Sequence, residues 1–287
     1  YSASNGDITR STNILVDMLF TQRTNGGIPY AIDRLRSPIK YVALSNNNAE
    51  GEQTTGFKEF GNNYIKMGAG AVANYTGNTY LLSMFKRAPG FFDVVAYTGD
   101  GVSNRTVPSN LGVAAELAIV KRRDSAGGWL TYSKDIPSSD YLFLNATQAP
   151  GTYPYFGTQT AAGLVLNNAA GGTCNGSGED YLATLPGISK VGTYTGTGNA
   201  VDVDCGFTAG ARFVLIKRTD STGDWYVWDS VRGIVSGNDP YLLLNSDAAQ
   251  VTNTDYIDPL SSGFTVTSSA PDAINVSGGN YIFLAIA

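Results

Sequence analysis

The chain has 287 residues, of which 43% are hydrophobic and only 15% are charged. The net charge of −5 argues against a nucleic-acid partner, because non-specific affinity for phosphates depends on clustered lysine and arginine. Histidine is absent, which removes the commonest general base and metal ligand together with every Ser-His-Asp arrangement. No apolar run approaches the roughly 18 residues that cross a bilayer, and no signal-peptide pattern is present. We therefore expect no nucleic acid, no membrane insertion and no cofactor or metal.

Residues 1–90 carry the weakest structural signals. They form the first copy of a unit of about 100 residues that occurs again twice along the chain, as described below. The stretch from Tyr1 to Arg10 is polar and typical of turns, so this first copy is either degenerate or belongs to a chain that starts earlier. A turn is predicted at residues 22–27, a strand at 41–45, and a turn followed by a strand at 74–82.

Residues 91–190 contain six apolar stretches separated by turn residues, which predicts a strand at each. These stretches are Asp93–Tyr97, Leu117–Val120, Trp129–Tyr132, Tyr141–Leu144, Gly163–Leu166 and Tyr181–Leu185. The Asp-Ser-x-Gly segment before Trp129 predicts a β-hairpin, because Asp bonds its own backbone and Gly tolerates a positive φ. The only weak helical period in the chain lies at residues 113–120.

Residues 191–287 repeat the same series of stretches. They are Val191–Tyr194, Phe213–Lys217, Trp225–Trp228, Tyr241–Leu244, Gly263–Val266 and Tyr281–Ile286. The period is close to 100 residues, since Tyr41, Tyr141 and Tyr241 each open a similar strand. The pattern predicts an all-β protein of three tandem antiparallel β-sandwich modules, at 1–90, 91–190 and 191–287, with a jelly roll as the nearest rival. The position of Ala287, near the next expected junction, is read as a natural C-terminus.

Two further features accompany the repeat. Asparagine precedes tyrosine by six residues in all three copies, and several asparagines also satisfy the glycosylation sequon, namely Asn74, Asn104, Asn145, Asn175 and Asn275. The repeat favours a structural role for these asparagines over a glycan. Cys174 and Cys205 lie at non-equivalent places, so we expect two free thiols, with a bridge between them as the alternative.

Three segments resemble a known group of proteins: Leu215–Trp225, Tyr241–Asn245 and Val276–Ala285. They are similar to tandem modules of unknown function in bacteriophage structural proteins, especially those of marine phages. The likeness covers the second and third copies well and the first only in part. It implies a tail fibre, tail tip or other virion-surface protein, and the family offers no catalytic residue to transfer.

Candidate binding residues occur in the hairpins and in the loops. Trp225, Trp228 and Arg232, beside Lys217 and Asp220, would offer aromatic faces and bidentate donors to a glycan. Trp129 and the basic residues 121–123 would do the same in the second copy. The structural alternative places these tryptophans in the core and Asp220 in the turn.

The loops that differ between copies are better candidates for recognition. They comprise residues 153–156, residues 253–256 and the glycine-rich run 171–178. Tyr153, Tyr155 and Tyr256 would form shallow platforms for a surface polysaccharide, because tyrosine offers a large amphipathic contact at low entropic cost.

The acidic residues give no specific signal for an enzyme or a metal site. Asp202 and Asp204 share a strand face, and Glu179 adjoins Asp180, yet such pairs are ordinary surface features. Residues 255 and 258 lack the loop pattern of a calcium site. We therefore expect no enzyme.

The expected function is host attachment by a virion-surface, extracellular protein. It would contact a host cell-surface glycan or protein and other virion proteins, as a homo-oligomer for which the family picture suggests a trimer. Many weak sites would combine through effective concentration. The alternatives are a capsid decoration or filament-forming subunit, a polysaccharide-degrading spike, and a lectin-like adhesin.

Overall fold

A computed structural model describes residues 1–4, 6–167, 172–187 and 189–287. The all-β prediction is confirmed, since all sheets in these ranges are antiparallel and the one α-helix, α1 (Asp272–Asn275), has four residues. No helix in the described part of the chain is long and apolar enough to cross a bilayer.

The sheets divide the strands into three successive groups, within residues 8–85, 92–186 and 190–286, which we call the first, second and third modules. The first module holds β1 (Ile8–Ser11), β2 (Met18–Arg23), β3 (Tyr30–Asp33), β4 (Lys40–Ala43), β5 (Gly51–Glu52), β6 (Phe57–Phe60), β7 (Tyr64–Met67) and β8 (Tyr80–Phe85). The second holds β9 (Phe92–Thr98), β10 (Arg105–Pro108), β11 (Leu117–Arg122), β12 (Trp129–Ser133), β13 (Asp140–Phe143), β14 (Gly151–Thr152), β15 (Gly163–Leu166) and β16 (Asp180–Pro186). The third holds β17 (Lys190–Thr195), which starts one residue before the predicted boundary, β18 (Val201–Asp204), β19 (Phe213–Arg218), β20 (Trp225–Asp229), β21 (Leu242–Leu243), β22 (Ile257–Leu260), β23 (Gly263–Val266) and β24 (Asn280–Ile286).

Each module contains one large and one small sheet with a recurring strand order. The large sheets run β5-β4-β3-β2-β8, β14-β13-β12-β11-β16-β9 and β21-β20-β19-β24-β17. The small sheets run β1-β7-β6, β10-β15 and β18-β23-β22. Each hairpin predicted before a tryptophan forms, as β11–β12 and β19–β20. Residues 117–120 lie in β11, so the weak helical period there was misleading.

The central strands read as continuous apolar runs because both of their faces are buried. In β19, Val214 and Ile216 point to a core confined to the third module, whereas Leu215 points to a core shared by all modules. The shared core draws on one face of every large sheet, and Met18, Ile119 and Leu215 represent the three modules in it. Three sandwiches are thus packed around one central hydrophobic core.

Hydrogen bonds across the module boundaries, which we call seams, close this arrangement into a ring. In each seam a glycine N–H donates to a backbone carbonyl of the neighbouring module, and the third seam joins the first module back to the third. These bonds are Gly127 to Asn47 (2.7 Å), Gly223 to Thr147 (2.8 Å) and Gly27 to Asp247 (2.6 Å). The three acceptors are spaced by 100 residues, so the seams are equivalent.

A tryptophan strengthens two of the three seams. Trp129 Nε1 donates to the carbonyl oxygen of Ala43 (2.7 Å), and Trp225 Nε1 donates to that of Phe143 (3.0 Å). In the third seam, Pro29 stands two residues after Gly27, at the position that tryptophan holds in the other two seams. There the Gln22 amide donates a longer bond of 3.4 Å to the equivalent carbonyl in the third module.

The opening of each module is fixed by a pair of stacked tyrosines. The ring centroids are 5.5 Å apart for Tyr1 and Tyr80, 5.1 Å for Tyr97 and Tyr181, and 4.8 Å for Tyr194 and Tyr281. Tyr1 therefore occupies the position that Tyr97 and Tyr194 hold in the other two modules. The polar stretch that follows Tyr1 stands where a Tyr-Thr-Gly segment begins at Tyr97 and at Tyr194.

Candidate functional site

The two tryptophans proposed as glycan platforms are core residues. Trp225 is 1% exposed and belongs to the shared core, and Trp228 is fully buried in the core of the third module. Neither ring has a face available to a ligand, and Trp129 is equally buried. The structure corrects this prediction: the hairpin that carries the tryptophans lies within the ring, and both faces of β20 are covered.

Arg232 is also occupied within the protein. Its Nε donates to the Asp229 carboxylate at 2.5 Å, and its Nη2 donates to the carbonyl oxygen of Val227 at 3.0 Å. The side chain is 8% exposed, and burial lowers the pKa of the guanidinium against the opposing effect of Asp229. Arg232 therefore stabilises the turn after β20 instead of presenting a fork to a ligand.

The lysines of the hairpin motif are structural as well. Lys217 is fully buried, and its ammonium donates to the carbonyl oxygens of Gly223 (2.6 Å) and Thr147 (2.9 Å), the second of which lies across the seam. Lys121 repeats these contacts at the first seam. Burial lowers the pKa of both lysines to about 8. The lysine therefore occurs in both modules because it holds neighbouring modules of the ring together, not because it binds a ligand.

A cluster of tyrosines does reach the surface of the second module. Tyr153 is 39% exposed and lies 4.7 Å from Tyr155, whose ring meets Tyr141 edge-on at 4.8 Å. Gly151 faces the Tyr141 ring, where a Cβ would lie 2.6 Å from it, so only glycine permits this approach. The predicted pair Tyr153 and Tyr155 is thus brought together on one aromatic surface.

The third module has a related cluster around Tyr256. Its half-buried ring stacks on Tyr241 at 5.6 Å, and Tyr241 lies 5.0 Å from Tyr226. The buried Asp239 carboxylate accepts the N–H groups of Tyr256 (2.9 Å) and Ile257 (3.0 Å), which fixes this loop. Burial raises the pKa of Asp239 to about 6, although the two N–H groups act in the opposite direction.

A polar cleft lies beside the tyrosine cluster of the second module, at the seam with the third. Its volume is about 700 Å³, and it is lined by Asp135 and Asp140 from the second module and by Thr195, Thr219 and Asn280 from the third. We call it the seam cleft. It adjoins a smaller cleft of about 300 Å³ below the aromatic surface, since Ala149 lines both.

The first seam is filled at the corresponding position. Glu50, which stands 100 residues before Pro150 of the seam cleft, pairs with Arg36 at 2.7 Å and with Arg123 at 2.9 Å. Burial opposes ionisation of Glu50, but the arginines outweigh it and hold the pKa at about 2. In the second seam Pro150 stands at this position and lines the seam cleft.

The acidic residues singled out in the sequence make local contacts within the protein. Asp202 accepts a hydrogen bond from Thr265 at 2.6 Å on an exposed strand, and Glu179 is paired with Arg122 at 2.6 Å. Asp180 accepts from Thr98 at 2.8 Å. No group of three or more acidic or cysteine side chains that would suit a metal ion occurs in the described ranges, residues 255 and 258 included.

The repeated asparagines serve the fold. The buried Asn275 amide donates to the carbonyls of Asn199 and Thr267 (both 2.8 Å) and accepts the Thr197 N–H, so it ties the module opening to the last turn. Asn175 and Asn74 make matching bonds. We call each set of bonds an asparagine clamp. A glycan attached to the side-chain nitrogen of any of these three asparagines would break its clamp.

The two cysteines are free and buried in different cores. The glycine-rich run 171–178 is partly outside the described residues, at Gly171. Within it, Cys174 and Asn175 are buried and Gly176 N–H donates to the Tyr181 hydroxyl at 2.9 Å, whereas Ser177 and Gly178 are exposed.

Comparison with known proteins gives one match. The model of a family described as Domain of unknown function (DUF7483) matches residues 43–287. The chain belongs to the DUF7483 family. No curated protein and no solved structure matches it significantly.

The DUF7483 match contains both seams that use tryptophan. It begins at Ala43, whose carbonyl accepts the Trp129 N–H, and includes all of the tyrosine clusters and the seam cleft. The donors of the third seam, Gln22 and Gly27, lie outside it. Of the functional features, sequence reasoning missed the seam cleft, because its two walls come from residues about 45 to 145 positions apart and no local pattern joins them.

Proposed function

We propose that this DUF7483 protein is a bacteriophage virion-surface structural protein, in a tail fibre or similar appendage, that attaches to a host-surface glycan. The observation that carries the proposal is the exposed aromatic surface of Tyr153 and Tyr155 beside the seam cleft. Aromatic faces next to hydroxyl, amide and carboxylate groups suit a sugar, which is apolar on its ring faces and polar at its edges.

The chemistry of the two clefts is complementary. Tyr141 lines the smaller cleft and contacts Tyr155, which in turn contacts the exposed Tyr153 ring, so these tyrosines supply apolar area. Thr195, Thr219 and Asn280 supply donors and acceptors in the adjoining seam cleft. Asp140 adds an acceptor for sugar hydroxyls. The site is shallow and open, so we expect a weak single-site affinity that becomes useful through many copies, as in a homo-oligomer on a particle.

The first test is binding to an array of bacterial surface polysaccharides. We expect the native chain to bind at least one glycan class, and Tyr153→Ala and Asn280→Ala to weaken that binding at least tenfold. Tyr75→Ala is the matched control, because Tyr75 is 57% exposed but lies in the first module, outside both clefts and outside the tyrosine cluster of the second module. Binding that survives both Tyr153→Ala and Asn280→Ala would contradict the proposed site, and a native chain that binds no glycan would contradict a glycan ligand.

The place on the particle needs a separate test. An antibody against the third module, used in negative-stain imaging of particles that carry the protein, should label tail appendages. Label spread over the head, or filaments formed by the purified chain, would overturn the attachment proposal in favour of a building block. The mass of the purified protein in solution, relative to 30.3 kDa for one chain, tests the proposed trimer.

One observation favours the second candidate, a decoration or filament-forming subunit. Beyond Tyr80, which pairs with Tyr1, strand β8 is an open edge of its sheet in the described structure, and open edges are common sites of pairing between polypeptides.

A further inference from the structure

In the described residues, the large sheet of the first module lacks one strand that both other modules possess. In the second module β9 pairs with the outer edge of β16, and in the third β17 pairs with the outer edge of β24. In the first module, β8 holds the place of β16 and β24, and it is the last strand of its sheet in the described structure.

Tyr1 marks where the missing strand would enter. The Tyr1 nitrogen donates to the Tyr80 carbonyl at 2.8 Å, and the Tyr80 N–H donates to the Tyr1 carbonyl at 2.7 Å. Tyr97 and Tyr181 are paired in the same register. Because hydrogen-bonding direction alternates along an antiparallel edge, the backbone groups of Leu82 and Met84 point to the same outer side as those of Tyr80.

A cleft of about 720 Å³ runs along this edge. One wall is residues 81–86, and the other is formed by the third module, including Arg212 and Val231. Val231 is 85% exposed and Phe91, at the end of the cleft, is 60% exposed. Because both side chains line the same cleft, they give it an apolar lining that a strand in the cleft would cover.

The other two modules also indicate which type of side chain the missing strand should have at one position. Val94 and Val191 each stand three residues before the opening tyrosine, both are almost fully buried, and both belong to the shared core. The corresponding place in the first module lies opposite Ser83, because Val94 lies opposite Thr184. An apolar side chain there would complete the shared core.

We propose that the outer edge of β8 is an acceptor for one further antiparallel strand. Its occupant is an extended segment of about five residues joined directly to the nitrogen of Tyr1, with an apolar residue three positions before Tyr1. Pairing would use the open backbone groups of Leu82 and Met84, in the manner of strand addition to a sheet edge. The proposal is independent of glycan binding.

The test adds a copy of Phe92–Ala96 directly before Tyr1 and measures amide hydrogen exchange. We expect exchange at Leu82 and Met84 to slow at least tenfold and the thermal midpoint to rise. The matched control carries the same extension with Val94→Asp in the added copy, which leaves the chain of 287 residues intact and should restore fast exchange.

Three other outcomes would count against the proposal. Unchanged exchange in the extended protein would overturn the acceptor site altogether. Equal protection by the extension and by its Val94→Asp version would overturn the apolar requirement. Protection by a free peptide of the same sequence, without protection by the fused copy, would show an acceptor for a separate chain and overturn the direct connection to Tyr1.

Discussion

Replacement of Lys217 by methionine tests the buried ammonium at the second seam. Lys217 is fully buried, and its pKa is lowered from 10.5 to about 8 by desolvation, against a small opposing effect of Asp224. A difference of about 2.5 pKa units corresponds to about 3 kcal/mol of the free energy of unfolding, which the charged lysine costs the folded protein.

The sign follows from proton binding. Between pH 8 and 10.5 the unfolded chain binds more protons at this lysine than the folded protein does, so the lysine makes stability rise with pH. From pH 7 to pH 9 the native chain should therefore gain about 1 kcal/mol relative to Lys217→Met. Cysteine and tyrosine titrations are present in both proteins and cancel in the difference.

The assay is urea unfolding of both proteins at pH 7 and pH 9. Lys134→Met is the control, because that side chain is 37% exposed and pairs only with its neighbour Asp135. The control should show the same difference from the native chain at both pH values. If Lys217→Met also shows no change with pH, the ammonium is not desolvated at the seam and the reasoning fails.

Three further predictions concern the ring and the modules. Trp225→Phe removes a buried N–H that bonds across the seam and should cost about 2 kcal/mol of unfolding free energy, with Trp129→Phe costing a similar amount in the same urea assay. Asn275→Ala should cost about 2–4 kcal/mol, because two carbonyls and one N–H lose their partner; a cost below about 0.5 kcal/mol would refute the clamp. Cys174 and Cys205, whose pKa values burial raises to about 12 and about 11, should react with a thiol reagent only after unfolding, and rapid labelling of the native chain would contradict their burial.

The strands that were predictable are those buried on both faces or bounded by clear turns. Gly163–Leu166 was predicted with the bounds that the structure has, because a glycine precedes a short run of large apolar residues. Arg105–Pro108 was missed, because it contains a single buried side chain, which is too little to distinguish a strand from a loop.

The aromatic site was predictable only in part. Tyr153 and Tyr155 stand in a loop with no equivalent elsewhere, and that local difference pointed to the surface. The burial of Trp225 depends on contact with Phe143, a residue of another module, and on closure of the ring by residues as distant as Gly27 and Asp247. A lysine that ends an apolar strand, repeated with its tryptophan, was the available signal of a buried interface.

A ring built from one chain is free of a constraint that binds a ring of identical subunits. In a symmetric trimer, any substitution appears three times, so a seam cannot be opened at one place and kept closed at another. In this chain Glu50 fills one seam while Pro150 leaves the next one open, and the ring persists because the other contacts repeat. Covalent linkage of the copies thus permits specialisation of one position at a time on an almost symmetric scaffold.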